Sequence, residues 1–367
     1  MNGRVNRLVN GLVNGPDGAG PSARGPQRVL VWGAGAIGGC IGAYLVRAGH
    51  DVTFVDLAFE HVEAIRDGGL HVVGPLETFR VQAPAFTPEQ LEGTWDTVLL
   101  CTKAQDTEAA GLALAPHLSA SGVVVSVQNG LNPLVLNPLL GPERVMGSFV
   151  NFGADLLGPG RVQYSGRGAV VLGEQDGSVT ARAKSLHALF SEFDPEAILS
   201  SNIYGYLWSK LAYGALLFAT AVTPDSIADA LERIENRELL IELGREVLRV
   251  AYAENIVPEA FNGFDPAAFS PGSSEEEARV SLQEMVAFNR RSAKTHSGIW
   301  RDLAVRKRRT EVDAQLGWPV HLGARHGLPT PLTARLVGLI HELEDGVREL
   351  SRANLDELRG LLLQGQV

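Results

Sequence analysis

Residues 28–56, RVLVWGAGAIGGCIGAYLVRAGHDVTFVD, constrain the fold of this chain more than any other segment. Arg28–Trp32 is an apolar run of strand length that ends at Gly33. Ala36–Ala48 repeats apolar residues at helical spacing, and Gly49 follows as a C-cap. Asp51–Asp56 returns to a strand pattern. These pieces predict a β-α-β unit, whose two strands lie parallel because the helix carries the chain back across the sheet.

The turn between the first strand and the helix reads GAGAIG: Gly33, Ala34, Gly35, Ala36, Ile37 and Gly38. It fits G-x-G-x-x-G, a weak pattern alone. Here it follows a strand, opens a helix and is closed by a second strand ending in an acid, which makes it specific. Such glycines permit a tight turn and the close approach of a pyrophosphate. The unpaired amides and the dipole of the helix N-terminus attract that anion. Asp56 stands 18 residues after Gly38 (56 − 38). A carboxylate there accepts hydrogen bonds from an adenosine ribose and repels a 2′-phosphate, which favours NAD over NADP. The nearest following arginine is Arg66, so no cation close by offsets the repulsion. The alternative is a turn aspartate without a ligand.

Strand–helix alternation continues through Thr97–Thr102, Glu108–Leu118 and Gly122–Val127. It predicts a mainly parallel sheet. Residues 144–173 carry short β-like pieces separated by glycines, expected as antiparallel additions at the sheet edge. From Asn202 the pattern becomes helical, over 202–222, 225–255, 274–316 and 330–364. The expected organisation is a disordered tail at 1–26, an α/β domain at 27–197 and a helical domain at 198–367, with the boundary near 195–201. A chain of 367 residues with 45% hydrophobic content supplies two cores.

Composition removes several function classes. A net charge of −10 argues against nucleic acid, and VRKRRT reads as a solvated helix face. Two cysteines, Cys40 and Cys101, make no disulfide framework and fit a reducing, cytoplasmic setting. No apolar run approaches the ~20 residues that span a bilayer. The nine histidines are scattered without metal-ligand spacing.

One lysine is out of place. Tyr206–Phe218 reads YLWSKLAYGALLF. On a helix, Lys210 shares its face with Ile203, Tyr206, Leu207, Tyr213, Gly214 and Leu217, none of them anionic. An ammonium on such a face finds a partner elsewhere, shifts its pKa, or snorkels to water.

With GAGAIG, TKAQDT (Thr102–Thr107), QNG (Gln128–Gly130), WSKLAY (Trp208–Tyr213) and RRTEVDAQLG (Arg308–Gly317), the chain resembles the ketopantoate reductase (2-dehydropantoate 2-reductase) family over residues 28–345. The resemblance implies an N-terminal Rossmann dinucleotide-binding domain and a C-terminal all-α domain of the 6-phosphogluconate-dehydrogenase type, with a cleft between them. It implies NAD(P)H-dependent reduction of a 2-oxo acid to a 2-hydroxy acid, in pantothenate biosynthesis. It makes Lys210 the catalytic lysine and Glu311 its acidic partner, and puts Lys103 and Asn129 beside the cofactor. Asn129, Gly214, Ser297 and Arg301 become the expected substrate positions, with His296 a further candidate beside Arg301.

The chain departs from the family at the substrate. Gly214 and Phe218 replace asparagines, and Gly298 replaces a serine. Leu57 or Ala58 stands where the family has an NADPH-selecting arginine. The family thus points to NADPH and Asp56 to NADH. Two other functions stay open: a relative repurposed for another ketone or imine, and a non-catalytic dinucleotide sensor, which the retained Lys210 and Glu311 oppose. A small-molecule carbonyl substrate is expected, without nucleic acid or membrane. The helical patterns 225–255 and 330–364 suit a homodimer face and intradomain packing alike.

Overall fold

The computed structural model describes residues 25–261, 263–291 and 295–363. Residues 1–24 of the expected tail lie outside the described residues. The first half runs β1 (Arg28–Trp32), α1 (Ala36–Arg47), β2 (Asp51–Val55), α2 (Phe59–Gly68), β3 (Leu70–Val73), β4 (Phe79–Val81) and β5 (Ala85–Phe86). It continues with β6 (Trp95–Leu100), α3 (Thr107–Leu114), β7 (Leu118–Ser126), α4 (Pro133–Leu140), β8 (Val145–Gly158), β9 (Arg161–Gly173), α5 (Ala181–Phe193) and β10 (Ile198–Leu199). The described strands form one sheet ordered β4-β3-β9-β8-β7-β6-β1-β2-β5, with β10 beside β9.

The central strands β1, β2, β6 and β7 pair in parallel, and apolar residues bury both their faces. Helices α1 and α5 cover one face with Cys40, Ile41, Leu186 and Phe190. Helices α3 and α4 cover the other with Leu114 and Leu136. A Cβ on Gly42 would stand 2.4 Å from the Phe54 ring, so only glycine lets α1 lie this close to β2.

The β8–β9 hairpin is antiparallel, as the glycine-punctuated sequence suggests, but it does not form the sheet edge. Strand β3 pairs with β9 in parallel, and β4 closes that side. Three-residue pairing around Val72 and Val162 carries this contact, too short a signal to read from sequence. Register pairs Ser126, the last residue of β7, with Gly147. The rest of β8 therefore projects past the carboxyl edge of the parallel strands.

The second half contains α6 (Ile203–Ala221), α7 (Ile227–Glu232), α8 (Arg237–Ala253), α9 (Glu275–Arg291), α10 (Gly298–Arg301), α11 (Val312–Gln315), α12 (Gly317–Arg325), α13 (Pro331–Glu344) and α14 (Ala353–Leu363). Its core takes in Leu131, Phe149 and Val171 from the sheet, so the helices pack directly on the projecting hairpin. Three expected continuous helices are broken. After Glu344 the amides of Gly346 (φ +71°) and Val347 bond back to Leu343 and Glu342, which stops α13. Extended Arg233 separates α7 from α8. Between α10 and α11 lie a π turn over Asp302–Arg306 and Lys307 at φ +50°. Among the described residues no helix is long and apolar enough to cross a membrane.

Candidate active site

The glycine loop shows why its residue types are needed. Gly33 has φ +99°, and a Cβ there would lie 2.7 Å from the Thr102 amide nitrogen. A Cβ on Gly38 would lie 2.0 Å from the Gly33 carbonyl oxygen. Gly35 is different: nothing stands within 4 Å of its Cβ position. It is also the N-cap of α1 and brings no side chain to the first-turn amides. Bare amides beneath open space fit a pyrophosphate.

Asp56 braces this loop. One carboxylate oxygen accepts from Ala34 N (2.9 Å), the other from Ala58 N (3.0 Å). A carboxylate has about four acceptor positions, so two bonds leave capacity for ribose hydroxyls. Buried His61 accepts from Gly160 N at Nδ1 (2.9 Å), which leaves its proton on Nε2, donated to Ala34 O (2.9 Å). His61 thus ties the loop to the hairpin tip.

Two further loops leave the carboxyl edge, after β6 and β7. They are joined by a buried polar network. Gln128 donates to Thr102 O (3.2 Å) and Thr107 Oγ1 (2.9 Å). The Thr107 hydroxyl lies 2.9 Å from Asn132 Oδ1, and Asn132 Nδ2 donates to Asn129 O (2.5 Å). Neither Thr107, Gln128 nor Asn132 was expected as a site residue. For Gln128 and Asn132, polar side chains within the otherwise apolar run SVQNGLNPLVL were the available signal.

This network presents Lys103, Ala104 and Asn129 to Glu311, which precedes α11. The Glu311 carboxylate accepts from Lys103 Nζ (3.1 Å), Ala104 N (2.9 Å) and Asn129 Nδ2 (3.2 Å). Gly130, at φ +92°, lies so near α11 that a Cβ would stand 2.4 Å from Ala314 O.

Lys210 sits across from this cluster on α6. Its Nζ donates to Val150 O of β8 (2.5 Å) and lies 5.2 Å from the Phe149 ring centroid. Among the described residues it forms no ion pair. The expected direct Lys210–Glu311 contact is therefore absent, because Glu311 turns to the three donors on the sheet loops. Its charge still acts through space. Burial pushes the Lys210 pKa down to about 8, and Glu311 raises it in part.

The other substrate positions are not gathered so tightly. Gly214 is buried one turn beyond Lys210, and its Cβ position is 3.4 Å from Gln315 Oε1. The Ser297 hydroxyl caps α10 by accepting from Trp300 N (3.1 Å). Arg301 donates to Asp155 (2.9 Å), while its Nε is buried without a partner. The His296 ring packs on Trp300 with centroids 4.0 Å apart. Trp300 Nε1 bonds Thr223 O, thirteen residues past Lys210, so α10 stands at the far end of α6. Phe218 is fully buried in the helical core, so it presents no surface to the cleft.

Comparison with known proteins gives a consistent picture. Residues 29–177 match the family model "Ketopantoate reductase PanE/ApbA", and residues 202–344 match its C-terminal model. A 2-dehydropantoate 2-reductase of Archaeoglobus fulgidus is 31% identical, covering 88% of this chain and 99% of that protein. Its Halobacterium salinarum counterpart is 29% identical, covering 86% and 98%. The crystal structure of a PanE/ApbA family ketopantoate reductase from Ralstonia eutropha superposes with a TM-score of 0.73 at 28% identity, covering 87% and 99%. D-mandelate dehydrogenase with NADH and anilino(oxo)acetate shares the fold, with a TM-score of 0.76 at 23% identity over 87% of this chain and 99% of that one. The glycine loop, the two carboxyl-edge loops and the α6 lysine thus sit in a chain that belongs to the ketopantoate reductase family.

Proposed function

We infer that this chain is an NAD(P)H-dependent oxidoreductase that reduces 2-dehydropantoate, a 2-oxo acid, to its 2-hydroxy acid. Lys210 carries the reading. It is a partly buried ammonium without an ion-pair partner among the described residues, held by a backbone carbonyl at the seam between sheet and helices. When bound, the coenzyme supplies the hydride that the carbonyl carbon accepts. Gly33–Gly38 hold its pyrophosphate end, and Lys103 and Asn129 flank its nicotinamide end. Lys210 then does what remains. Its Nζ–H donates to the carbonyl oxygen, stabilises negative charge as it develops there, and transfers the proton. Glu311 keeps Lys103 and Asn129 in place and favours the charged form of Lys210.

Steady-state coenzyme oxidation with 2-dehydropantoate tests the reading; turnover is expected, and none with either coenzyme would reject it. A second reading, reduction of another ketone or imine, is favoured by Gly214, which presents no side chain where the family carries an amide. Turnover of bulkier ketones without turnover of 2-dehydropantoate would select it. For the coenzyme, Asp56 supports NADH. NADH is expected to serve at least as well as NADPH, and Asp56→Ala to improve NADPH more than NADH. A strong NADPH preference that survives Asp56→Ala would remove that role. We place the division between the nucleotide-binding and helical halves at residues 195–201, between α5 and α6.

A further inference from the structure

We propose that Gln315 is a substrate-anchoring residue, whose side-chain amide holds the 4-hydroxyl of the substrate from the α11 wall of the cleft. The proposal rests on the reductase reading above. Gln315 is 8% exposed, yet its amide bonds to none of the described residues, and neither amide atom is sealed from solvent. An amide so placed is satisfied by water or by a ligand.

Its position selects the ligand. Gln315 follows Glu311 by one helical turn, its backbone N–H donating to Glu311 O at 3.0 Å. Gly214 follows Lys210 by one turn on α6. Gln315 Oε1 stands 3.4 Å from the Cβ position of Gly214. The two rows therefore face each other: Lys210 opposite Glu311, and Gly214 opposite Gln315. Four residues advance a helix by roughly 6 Å, which is the offset of the amide from the level of Lys210. A carbonyl oxygen at Lys210 puts a hydroxyl-bearing carbon, two bonds from the carbonyl carbon, within reach of that amide. Gly214 brings no side chain to pair with that amide, which leaves it for the substrate.

The chemistry favours a hydroxyl over the carboxylate. A carboxylate only accepts, whereas a hydroxyl both donates and accepts, as an amide does. A site built to pair a substrate hydroxyl rejects the analogue lacking it, because the amide is then left unpaired.

The test compares 2-dehydropantoate with its 4-deoxy analogue, 3,3-dimethyl-2-oxobutanoate, by kcat and KM. The protein as it stands is expected to prefer the hydroxylated acid by about 100-fold or more. Gln315→Leu is expected to cut that preference to within about tenfold. It does so by raising KM for the hydroxylated acid, with kcat and coenzyme KM changed less than about threefold. Gln315→Ala combined with Gly214→Asn, which brings an amide from the opposite wall, should recover part of the preference. Melting and coenzyme fluorescence confirm that each variant is folded. Unchanged discrimination in Gln315→Leu overturns the proposal, as does a parent enzyme that uses both acids equally, while the reductase reading stands in both cases. Turnover of neither acid overturns the reductase reading and this proposal with it.

Discussion

At the scale of one residue, the role proposed for Lys210 sets stability against activity. Its folded pKa of about 8 lies below the ordinary 10.5. The folded state therefore binds this proton less readily than the unfolded chain. The buried charge weakens the fold at neutral pH by up to about 3 kcal/mol, and the loss fades as pH rises from 8 toward 10.5. Lys210→Met removes the charge and keeps the volume. Turnover should fall by about a thousandfold while the melting midpoint rises by a few degrees and coenzyme affinity holds. A lower midpoint with near-normal turnover would mean the lysine is structural. The pH profile follows from the same value. On the proposed mechanism reduction needs the ammonium, so kcat/KM should be level below pH 8 and fall above it. Glu311 raises the Lys210 pKa, so Glu311→Gln should move that falling limb to lower pH. A limb that stays in place would detach Glu311 from the proton transfer. The lysine was legible because a charged residue on an apolar helix face violates a local rule. Its real neighbour, Val150 O, was not, since a backbone carbonyl sixty positions away carries no sequence signal.

At the scale of elements, the site is made by loops that the parallel strands present together, and a glycine sets how closely the helical half approaches them. Gly130 has φ +92°, where a side chain is strained, and a Cβ would meet Ala314 O at 2.4 Å. Gly130→Ala should push the QNG turn off α11 and loosen Asn129 from Glu311. The expected result is a loss of roughly 2 kcal/mol in stability, with kcat/KM down at least about tenfold, read by denaturant unfolding and steady-state assay. Full activity would show that the turn adapts. The strand-turn-helix around GAGAIG was readable because local spacing decides it. The β8–β9 hairpin was readable as antiparallel but not as interior, because its neighbour β3 is joined to β9 by a pairing remote in sequence. The helical patterns marked apolar faces correctly and missed the interruptions. A left-handed Lys307 and the extended Arg233 follow from packing around them, not from their own residue types. Gln315, buried but unpaired, is invisible until α6 and α11 are brought face to face.

At the scale of the whole molecule, two ion-paired clasps among the described residues join the sheet to the helices, and only one touches the proposed chemistry. The first is Glu311 with Lys103, Ala104 N and Asn129. The second lies farther out on the projecting hairpin. There Asp155 accepts from Arg301 (2.9 Å) and Arg306 (2.7 Å), and Arg306 also pairs with Asp302 (2.9 Å). Asp155 is the one ion-pair partner of Arg301 among the described residues, and Arg301 Nε already lacks an acceptor. Removing the carboxylate therefore leaves a half-buried guanidinium without compensation, at a cost of about 1–3 kcal/mol. Asp155→Asn should lower the melting midpoint by several degrees and make the two halves unfold less cooperatively in calorimetry, because a tie between two cores is lost. The proposed reacting groups lie beside the first clasp, so kcat should stay within about threefold. If instead KM for the carbonyl rises more than tenfold with the midpoint unchanged, Arg301 serves the substrate and Asp155 only orients it. Glu311→Gln supplies the contrast: it disturbs the clasp that carries Lys103 and Asn129, so its effect must appear in turnover.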